Sequence, residues 1–264
     1  MEVVFLKLGG SLITAKDTPR AVRPDALARL MDEIAAARAD RPGMRLVLGH
    51  GSGSFGHVEA RRYGTRAGVR TEIEWQRFAE VQWVAALLNR LIVDAARAVG
   101  LSIFNSPPSA SVICRGGAIR SMAVEPIRAA LTNGLIPLVY GDVAVDEVRG
   151  GTIISTEDEF RFLAPHLKPE RILLAGIERG VLTHWPGGEI IPEIVSLDAT
   201  GHIGGSHAAD VTGGMASKVR EMLGLVEAMP GVEVRILSGE VPGLVRAALV
   251  GAPVPGTVIR CVSM

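Results

Sequence analysis

Residues 3–11 read VVFLKLGGS, and this stretch decides the fold. Residues 3–8 form a short apolar run that is typical of a strand buried in a parallel sheet. Gly9-Gly10 follow as a tight turn. Lys7 lies inside the apolar run, where a lysine without a partner is rarely buried. The stretch therefore predicts a buried strand that carries a lysine and a glycine turn to one edge of a sheet.

Strand-like and helix-like segments alternate along the rest of the chain. The predicted strands are 3–8, 45–48, 101–104, 136–140, 171–175 and 234–237, and the predicted helices are 24–38, 72–99, 124–132, 156–167, 214–229 and 241–249. Residues 142–154 and 181–191 are predicted hairpins, because glycine-rich turns lie at their centres. The alternation predicts an α/β fold with a mostly parallel sheet covered on both faces. We expect one domain over residues 1–264, with two lobes that meet near residue 170.

Composition and charge exclude several classes of protein. The chain has 264 residues, 48% of them hydrophobic, which is ordinary for a globular enzyme. Lys and Arg total 28, as do Asp and Glu, so no basic field is available to hold a nucleic acid or an anionic membrane. No apolar run is long enough to span a membrane. The two cysteines are too few for a disulfide framework, and we expect a cytoplasmic enzyme.

Three glycine-rich segments lie where predicted strands give way to helices. They are residues 7–11 (KLGGS), 49–57 (GHGSGSFGH) and 210–218 (DVTGGMASK). Glycine lets backbone N–H groups approach phosphate oxygens, and a following helix N-terminus favours negative charge. Because lysines stand in the first and last segments, the three together predict a polyphosphate site. In the middle segment, His50 is expected to bond the loop backbone rather than a ligand.

A nicotinamide dehydrogenase is an alternative that this pattern leaves open. Residues 51–56 satisfy G-x-G-x-x-G, and Glu72 or Glu74 stands about where a ribose-binding acid is expected. Two observations argue against a dehydrogenase. The loop follows the second predicted strand rather than the first, and dinucleotide binding does not explain His57 or Lys218. The sequence has no Walker A loop and no protein-kinase motif set, so a kinase would need another architecture.

Several segments, in this order, resemble the amino acid kinase superfamily and, among its members, the isopentenyl phosphate kinases. The segments are KLGGSLIT (7–14) with Lys16 beyond it, HGSGSFGH (50–57), YGD (140–142), STED (155–158), DVTGG (210–214) with Lys218, and GTVIR (256–260). The resemblance implies a three-layer α/β/α sandwich that forms a homodimer. It also implies that ATP lies over the C-terminal half and a phosphorylated acceptor over the N-terminal half.

The resemblance implies roles for particular residues. Lys7 and Lys218 would bracket the transferring phosphoryl group, and Asp158 would hold these lysines in place. His57 would bind the phosphate that the acceptor already carries. The residues implied in nucleotide binding are Lys7, Gly9, Gly10, Ser11, Lys16, Gly213, Gly214 and Lys218. Those implied in acceptor binding are Gly51, Ser52, Gly53, His57, Gly141 and Asp142.

The reaction implied is transfer of the γ-phosphoryl group of ATP, with Mg²⁺, to isopentenyl phosphate in the mevalonate route to isoprenoids. A fosfomycin-type kinase and a non-catalytic nucleotide- or oxyanion-binding protein of the same fold remain alternatives. Two departures from the family pattern bear on the site. Ser52 stands where glycine is usual, and residues 174–181 lack an acidic segment that many relatives carry, so a nucleotide contact there would depend on Glu178.

Two further groups of residues carry expectations of their own. His202 and His207 flank a Gly-Gly-Ser segment, which is typical of a loop, and no metal site is expected there. Trp75, Phe78 and Trp83 lie on the helix predicted over 72–99, and such a stripe usually belongs to the core. The resemblance implies that part of this helix lines the acceptor pocket.

Overall fold

Two β-sheets and the helices packed on them form the framework. The computed structural model describes residues 2–15, 17–56, 63–184, 187–196 and 214–261. The strands are β1 (Val3–Leu8), β2 (Arg45–His50), β3 (Ile103–Asn105), β4 (Ile113–Arg115), β5 (Ala118–Ser121), β6 (Ile136–Tyr140), β7 (Asp142–Asp146), β8 (Gly150–Ile154), β9 (Arg171–Gly176), β10 (Glu193–Ile194), β11 (Glu233–Ser238) and β12 (Thr257–Ile259). The helices are α1 (Gly10–Ile13), α2 (Pro24–Asp40), α3 (Glu72–Ala98), α4 (Val124–Thr132), α5 (Thr156–Leu167), α6 (Gly214–Ala228) and α7 (Leu244–Leu249).

The larger sheet has the order β10-β12-β11-β9-β1-β2-β6-β3. Strands β9, β1, β2 and β6 run parallel to one another, and β12 is antiparallel to β11. The prediction of a mostly parallel sheet is therefore confirmed. This sheet contains strands from both sides of residue 170, and the division into two lobes stays a prediction.

Strand β1 lies in the middle of this sheet, and all six of its residues are buried. Successive side chains of a strand point to opposite faces. Val4, Leu6 and Leu8 accordingly join the apolar core that includes side chains of α2 and α3. Val3 and Phe5 join a second core on the other face, where Phe5 packs against Phe160 of α5 with ring centroids 5.0 Å apart. Lys7 follows Phe5 by two residues, so the period of two directs it toward α5.

Helix α5 begins and ends where the sequence predicts. Ser155 caps its first turn: the Ser155 hydroxyl accepts from the N–H of Asp158 at 3.1 Å, and the Asp158 carboxylate accepts from the N–H of Ser155 at 2.8 Å. This reciprocal capping box satisfies two backbone donors that would otherwise lack partners. The two residues between them, Thr156 and Glu157, are buried, at 1% and 4% exposed.

The hairpin predicted over 142–154 is confirmed as β7 and β8, which pair antiparallel. These strands belong to a second sheet of order β5-β4-β7-β8, which the sequence did not predict. The reason is that β4 and β5 have only three and four residues and meet at the tight turn of Gly116-Gly117, with φ of +63° and +91°. Periodicity over three or four residues does not distinguish such strands from a loop.

Two other boundaries were tested by the structure. The hairpin predicted over 181–191 is confirmed by the antiparallel bridge of Leu182 with Ile190. The helix predicted from 241 is shorter and begins at Leu244, because Gly243 adopts a left-handed φ of +81° that ends any helix before it. Across the described parts of the chain, no helix combines the length and apolarity needed to cross a bilayer.

Candidate active site

Four neighbouring strands of the large sheet end level with one another, and each is followed by glycine or ends in it. In the register of the sheet, Leu8 of β1 pairs with His50 of β2 and with Ala175 of β9, while His50 pairs with Tyr140 of β6. The residues that come next are Gly9, Gly51, Gly141 and Gly176. Because ligands of parallel α/β sheets collect at the carboxyl ends of the strands, this glycine-lined edge is the candidate site.

The first two glycine loops touch backbone to backbone. A Cβ on Gly10 would lie 2.3 Å from the amide nitrogen of Gly53, and one on Gly51 would lie 2.9 Å from the amide nitrogen of Gly10. Gly53 also has a φ of +50°, and its Cβ would lie 2.1 Å from Oγ1 of Thr14. A side chain at any of these positions would separate the loops, so glycine is required by the packing as well as by the conformation.

Lys7 forms a buried ion pair with Glu157, and this pair is the electrostatic centre of the site. Nζ of Lys7 contacts Oε1 of Glu157, and the two residues are 9% and 4% exposed. Burial raises the pKa of Glu157, but the positive charges of Lys7 and Lys218 outweigh that effect and hold its pKa below the ordinary value. Glu157 is therefore an anion paired with Lys7 of β1 and stabilised further by the charge of Lys218 of α6.

The carboxylate that meets Lys7 is thus Glu157, one residue before the acid that the sequence suggested. The role expected for Asp158 stays a prediction; its Oδ2 caps α5 by accepting from the N–H and hydroxyl of Ser155 at 2.8 and 2.7 Å. A signal was present in the sequence. Ser155 followed three residues later by an acid is the pattern of a capping box, which assigns Asp158 to the helix end and leaves Glu157 for the site.

His50 is buried beside the glycine loop, where it contacts several elements. Its Nδ1 lies 3.2 Å from the carbonyl oxygen of Gly51, and its Nε2 lies 3.2 Å from Nδ2 of Asn89 on α3. The imidazole stacks on Tyr140 with ring centroids 5.1 Å apart. Burial lowers the pKa of His50 to about 4, with a further lowering by the charge of Lys7. The expectation that His50 bonds the loop backbone is confirmed.

Asn89 was not predicted as part of the site. It is 2% exposed on the core face of α3, where a polar residue needs a partner. The available signal was an amide among the apolar residues of that face, namely Val81, Val84, Ala85, Leu88, Ile92 and Ala96. Which residue an isolated buried amide bonds cannot be inferred from the periodicity of its own helix.

Asp142 and Ser52 have structural partners at the same edge. Oδ1 of Asp142 accepts from the N–H of Val143 at 2.8 Å, and Oδ2 accepts from the N–H of Ser109 at 3.3 Å. Burial raises the pKa of Asp142 to about 6. The hydroxyl of Ser52 donates to the carbonyl oxygen of Gly141 at 3.3 Å, so this departure from glycine links the second loop to the end of β6.

A third acid of α5, Glu159, is fully buried. Neither of its carboxylate oxygens has a hydrogen-bond partner among the described residues. Burial, followed by the charges of Asp142, Asp158 and Glu157, raises the pKa of Glu159 well above the ordinary value. Its burial and its acidic neighbours both disfavour the charged form of this carboxyl group.

The other predicted site residues fall into two groups. Gly9 lies in the site, where its N–H donates to the carbonyl oxygen of Ala175 at 2.7 Å; Ser11 is exposed on α1; and Gly214 begins α6 with a φ of +70°. Lys16, His57 and Gly213 lie outside the described residues, as do His202 and His207. Within the described ranges, no group of three or more His, Cys, Asp or Glu side chains is arranged to hold a metal ion.

Helix α3 presents a different surface from the one the sequence indicates. Trp83 is 54% exposed, so the expectation that it belongs to the core is wrong. Leu87 and Leu91, one and two turns further on, are also exposed. At the start of the helix, Phe78 packs on the hairpin: a Cβ on Gly151 would lie 2.7 Å from its ring. Only the opposite face of α3, which carries Asn89, is directed toward His50.

Comparisons with known proteins agree with this geometry. The model of the amino acid kinase family matches residues 2–238. Isopentenyl phosphate kinase of Methanothermobacter thermautotrophicus is 36% identical over 266 residues, which cover 97% of this chain and 98% of that protein. The Haloferax volcanii isopentenyl phosphate kinase is 34% identical, with coverage of 98% and 99%. A solved structure of an isopentenyl phosphate kinase superposes with a TM-score of 0.85 at 33% identity, covering 98% of this chain and all of that one.

Proposed function

The chain belongs to the amino acid kinase family, and we propose that it transfers the γ-phosphoryl group of ATP to isopentenyl phosphate to form isopentenyl diphosphate in isoprenoid biosynthesis. The observation that carries this proposal is the buried pair of Lys7 and Glu157 beside Lys218, at an edge lined with glycine loops. A charge pair is costly to bury, and its position at a ligand-binding edge supports a role in chemistry.

The chemistry suits these residues. An oxygen of the acceptor phosphate attacks the γ-phosphorus, a new P–O bond forms, and the bond to the β–γ bridging oxygen breaks as ADP leaves. A phosphate oxygen is already a nucleophile, so no strong general base is needed. Charge develops on the equatorial oxygens of the transferring group, and fixed cations stabilise it. We assign this stabilisation to Lys7 and Lys218.

Glu157 takes the role that the sequence suggested for Asp158. Two lysines at one site repel each other, and a carboxylate between them offsets that repulsion and fixes the position of Nζ of Lys7. The lowered pKa of the buried His50, about 4, supports this arrangement, because a neutral imidazole adds no positive charge beside Lys7.

We assign the two substrates to different loops. The phosphates of ATP would lie against Gly9, Gly10, Ser11, Lys16, Gly213 and Gly214, and the phosphate of the acceptor against Gly51, Ser52, Gly53, Gly141 and His57. Asp142 supports the acceptor side indirectly, since its carboxylate holds backbone N–H groups. Mg²⁺ would arrive bound to the phosphates of ATP and would neutralise part of their negative charge.

A homodimer is the assembly we propose, and the exposed face of α3 supports it. Trp83, Leu87 and Leu91 recur every four residues and so form one stripe, and they are 54%, 36% and 37% exposed. Large apolar side chains in a row favour burial against another surface. A second copy of the chain would bring an identical stripe, as two-fold symmetry requires. We also propose that the enzyme acts in the cytoplasm, which fits a sequence with only two cysteines.

The experiment that tests the function is ADP release with Mg-ATP, offering isopentenyl phosphate, fosfomycin and a carboxylate acceptor in parallel. We expect fast turnover with isopentenyl phosphate alone, and loss of that turnover in Lys218→Ala while ATP is still bound. Turnover with fosfomycin alone would replace the proposed acceptor by a phosphonate. If no ADP is released with any of the three acceptors while ATP is still bound, the chain is a non-catalytic binding protein and the proposal is overturned.

A further inference from the structure

His50 forms hydrogen bonds with several elements that surround the site. Its carbonyl oxygen accepts from the hydroxyl of Thr156 at 2.6 Å, next to Glu157. The same oxygen accepts from the N–H of Gly141 at 3.3 Å. Its ring meets the carbonyl of Gly51 on one side and Asn89 on the other. One residue thereby joins the glycine loop to α3 and to the helix that carries the partner of Lys7.

The two partners of the ring together determine which ring nitrogen of His50 carries the proton. Nδ2 of Asn89 is an amide nitrogen and can only donate, so Nε2 of His50 must accept. In a neutral imidazole the proton then lies on Nδ1, which donates to the carbonyl oxygen of Gly51. The opposite tautomer would set two donors against each other at Asn89 and two acceptors against each other at Gly51. The amide of Asn89 and the carbonyl of Gly51 thus favour the same form, the one that holds the loop.

The bond to Gly51 bears on anion binding. Gly51 begins the loop whose residue Gly53 is packed against Gly10, and the peptide that contains the Gly51 carbonyl also contains the N–H of Ser52. Fixing that carbonyl toward His50 fixes the N–H on the other side of the same planar peptide. An unconstrained peptide could rotate and turn its N–H away from an anion. Preorganised N–H donors bind a phosphate better than donors that must first be ordered.

We propose that Asn89 is a positioning residue for acceptor binding, which selects the Nδ1-protonated form of His50 and so orients the Gly51–Ser52 peptide toward the acceptor's phosphate. This inference rests on the proposed function for the identity of the acceptor. It assigns a residue of α3 to recognition of the phosphate. The N-terminal part of this helix packs on the β7–β8 hairpin.

The variant that tests the proposal is Asn89→Asp, which keeps the size of the side chain and replaces its donor with an acceptor. The aspartate would demand a proton on Nε2 of His50 and leave Nδ1 as an acceptor facing the carbonyl of Gly51, or else force double protonation beside Lys7. We expect KM for isopentenyl phosphate to rise tenfold or more, the effect seen when a residue that orients a binding group is lost. KM for ATP should change less than threefold.

The tautomer itself is read by ¹⁵N NMR of histidine in the unliganded protein, with the His50 signals identified by their absence in His50→Gln. Wild type should show a protonated Nδ1 and an unprotonated Nε2, and Asn89→Asp should lose that pattern. The matched control is Asn133→Asp, the same substitution at an exposed position after α4, which should leave the NMR signals and both KM values unchanged.

The outcomes separate this inference from the proposed function. If wild type does not turn over isopentenyl phosphate, the proposed function fails, and the NMR spectrum still decides the tautomer. A wild-type His50 protonated on Nε2 overturns the inference whatever the substrate is. So does an Asn89→Asp variant that changes the tautomer but leaves KM for the acceptor unchanged. Equal losses in both KM values together with a lower Tm would indicate a purely structural residue and would also overturn it.

Discussion

At the scale of the residue, the first turn of α5 shows how three adjacent acids acquire three different roles. Glu157 is an anion paired with Lys7, Asp158 caps the helix, and Glu159 is buried without a hydrogen-bond partner among the described residues. Their intrinsic pKa values are nearly equal. Direction around the helix therefore separates them: successive residues point 100° apart, so one meets β1, one turns back to the cap and one is buried in a third direction.

A pair of substitutions tests this separation. We expect Glu157→Gln to lower kcat by about 10²–10³, because Lys7 loses the charge that positions it, an effect comparable with loss of one preorganised donor. Asp158→Ala should instead lower the free energy of unfolding by about 1 kcal/mol through loss of the cap, with a small effect on kcat. The measurements are steady-state kinetics and urea denaturation of both variants. The reverse pattern would return the central role to Asp158.

Asp142 makes a second prediction at this scale. Its ordinary pKa is 3.8 and its pKa in the folded protein is about 6, so ionisation costs about 3 kcal/mol of folding free energy once the pH passes 6. The sign follows from proton binding: between these two values the folded state holds the proton and the unfolded state does not. Stability from this group is therefore present at pH 4 and lost as the pH rises to 6.

The test is Asp142→Asn, in which the amide oxygen can still accept a backbone N–H. The variant should gain stability over wild type between pH 4 and pH 7 in urea denaturation, by up to about 3 kcal/mol, because only wild type bears the cost of ionisation. Comparison at each pH cancels the titration of other groups. A difference between variant and wild type that stays constant with pH would show that Asp142 is not buried as an anion.

At the scale of the element, the site depends on loops that approach each other more closely than side chains allow. The contact of Gly10 with Gly53 brings the turn after β1 against the loop after β2, and Thr14 fastens the same junction by accepting from the N–H of Ser54 at 3.0 Å. Neither loop could be shifted alone without moving the other. The position of one phosphate-binding loop therefore fixes the other.

Gly10→Ala tests this coupling. The added Cβ would meet backbone atoms of Gly53 at 2.3 and 2.6 Å, which cannot be relieved by a side-chain rotation, so the loops must separate. We expect kcat/KM for both substrates to fall by about 10² or more, since misplacement by about 1 Å has that cost. Gly224→Ala is the control: it lies inside α6 with nothing within 4 Å, and it should raise stability by roughly 1 kcal/mol with unchanged kinetics. Normal activity in Gly10→Ala would contradict the packing described.

At the scale of the whole molecule, the exposed stripe on α3 and the buried face of the same helix have different roles. The buried face reaches His50 through Asn89, and the exposed face carries Trp83, Leu87 and Leu91. A homodimer formed through that stripe would place each partner one helix away from the acceptor loop.

Trp83→Glu tests the assembly. A charge in the middle of an apolar contact is costly to bury without a partner, so the variant should be monomeric at micromolar concentration where wild type is dimeric, as measured by light scattering after size-exclusion chromatography. Val148→Glu is the control, because this valine is 63% exposed in the β7–β8 turn, away from the stripe. A wild-type monomer, or a Trp83→Glu dimer, would contradict the proposed interface.

Much of the architecture could be predicted because it depends on local patterns. The limits of α4 and α5 and the strands β1 and β6 follow from apolar periodicity and turn residues. The strands β4 and β5 escaped prediction, because three or four residues carry too little periodic signal to distinguish a strand from a loop. Trp83 was assigned to the core for a related reason: helical spacing identifies a stripe but does not tell which side the protein covers.

The sequence by itself determined the alternating α/β order, the glycine loops after β1 and β2, and the presence of Lys7 in a buried strand. These features depend on residues close together in the chain, where propensity and period act directly. Only the tertiary structure decided that Lys7 meets Glu157 and that Asn89 selects the tautomer of His50. Both pairs join residues far apart in the chain. The physical reason is that burial, which makes each of these polar groups require a partner, exists only after the sheet and its helices have packed.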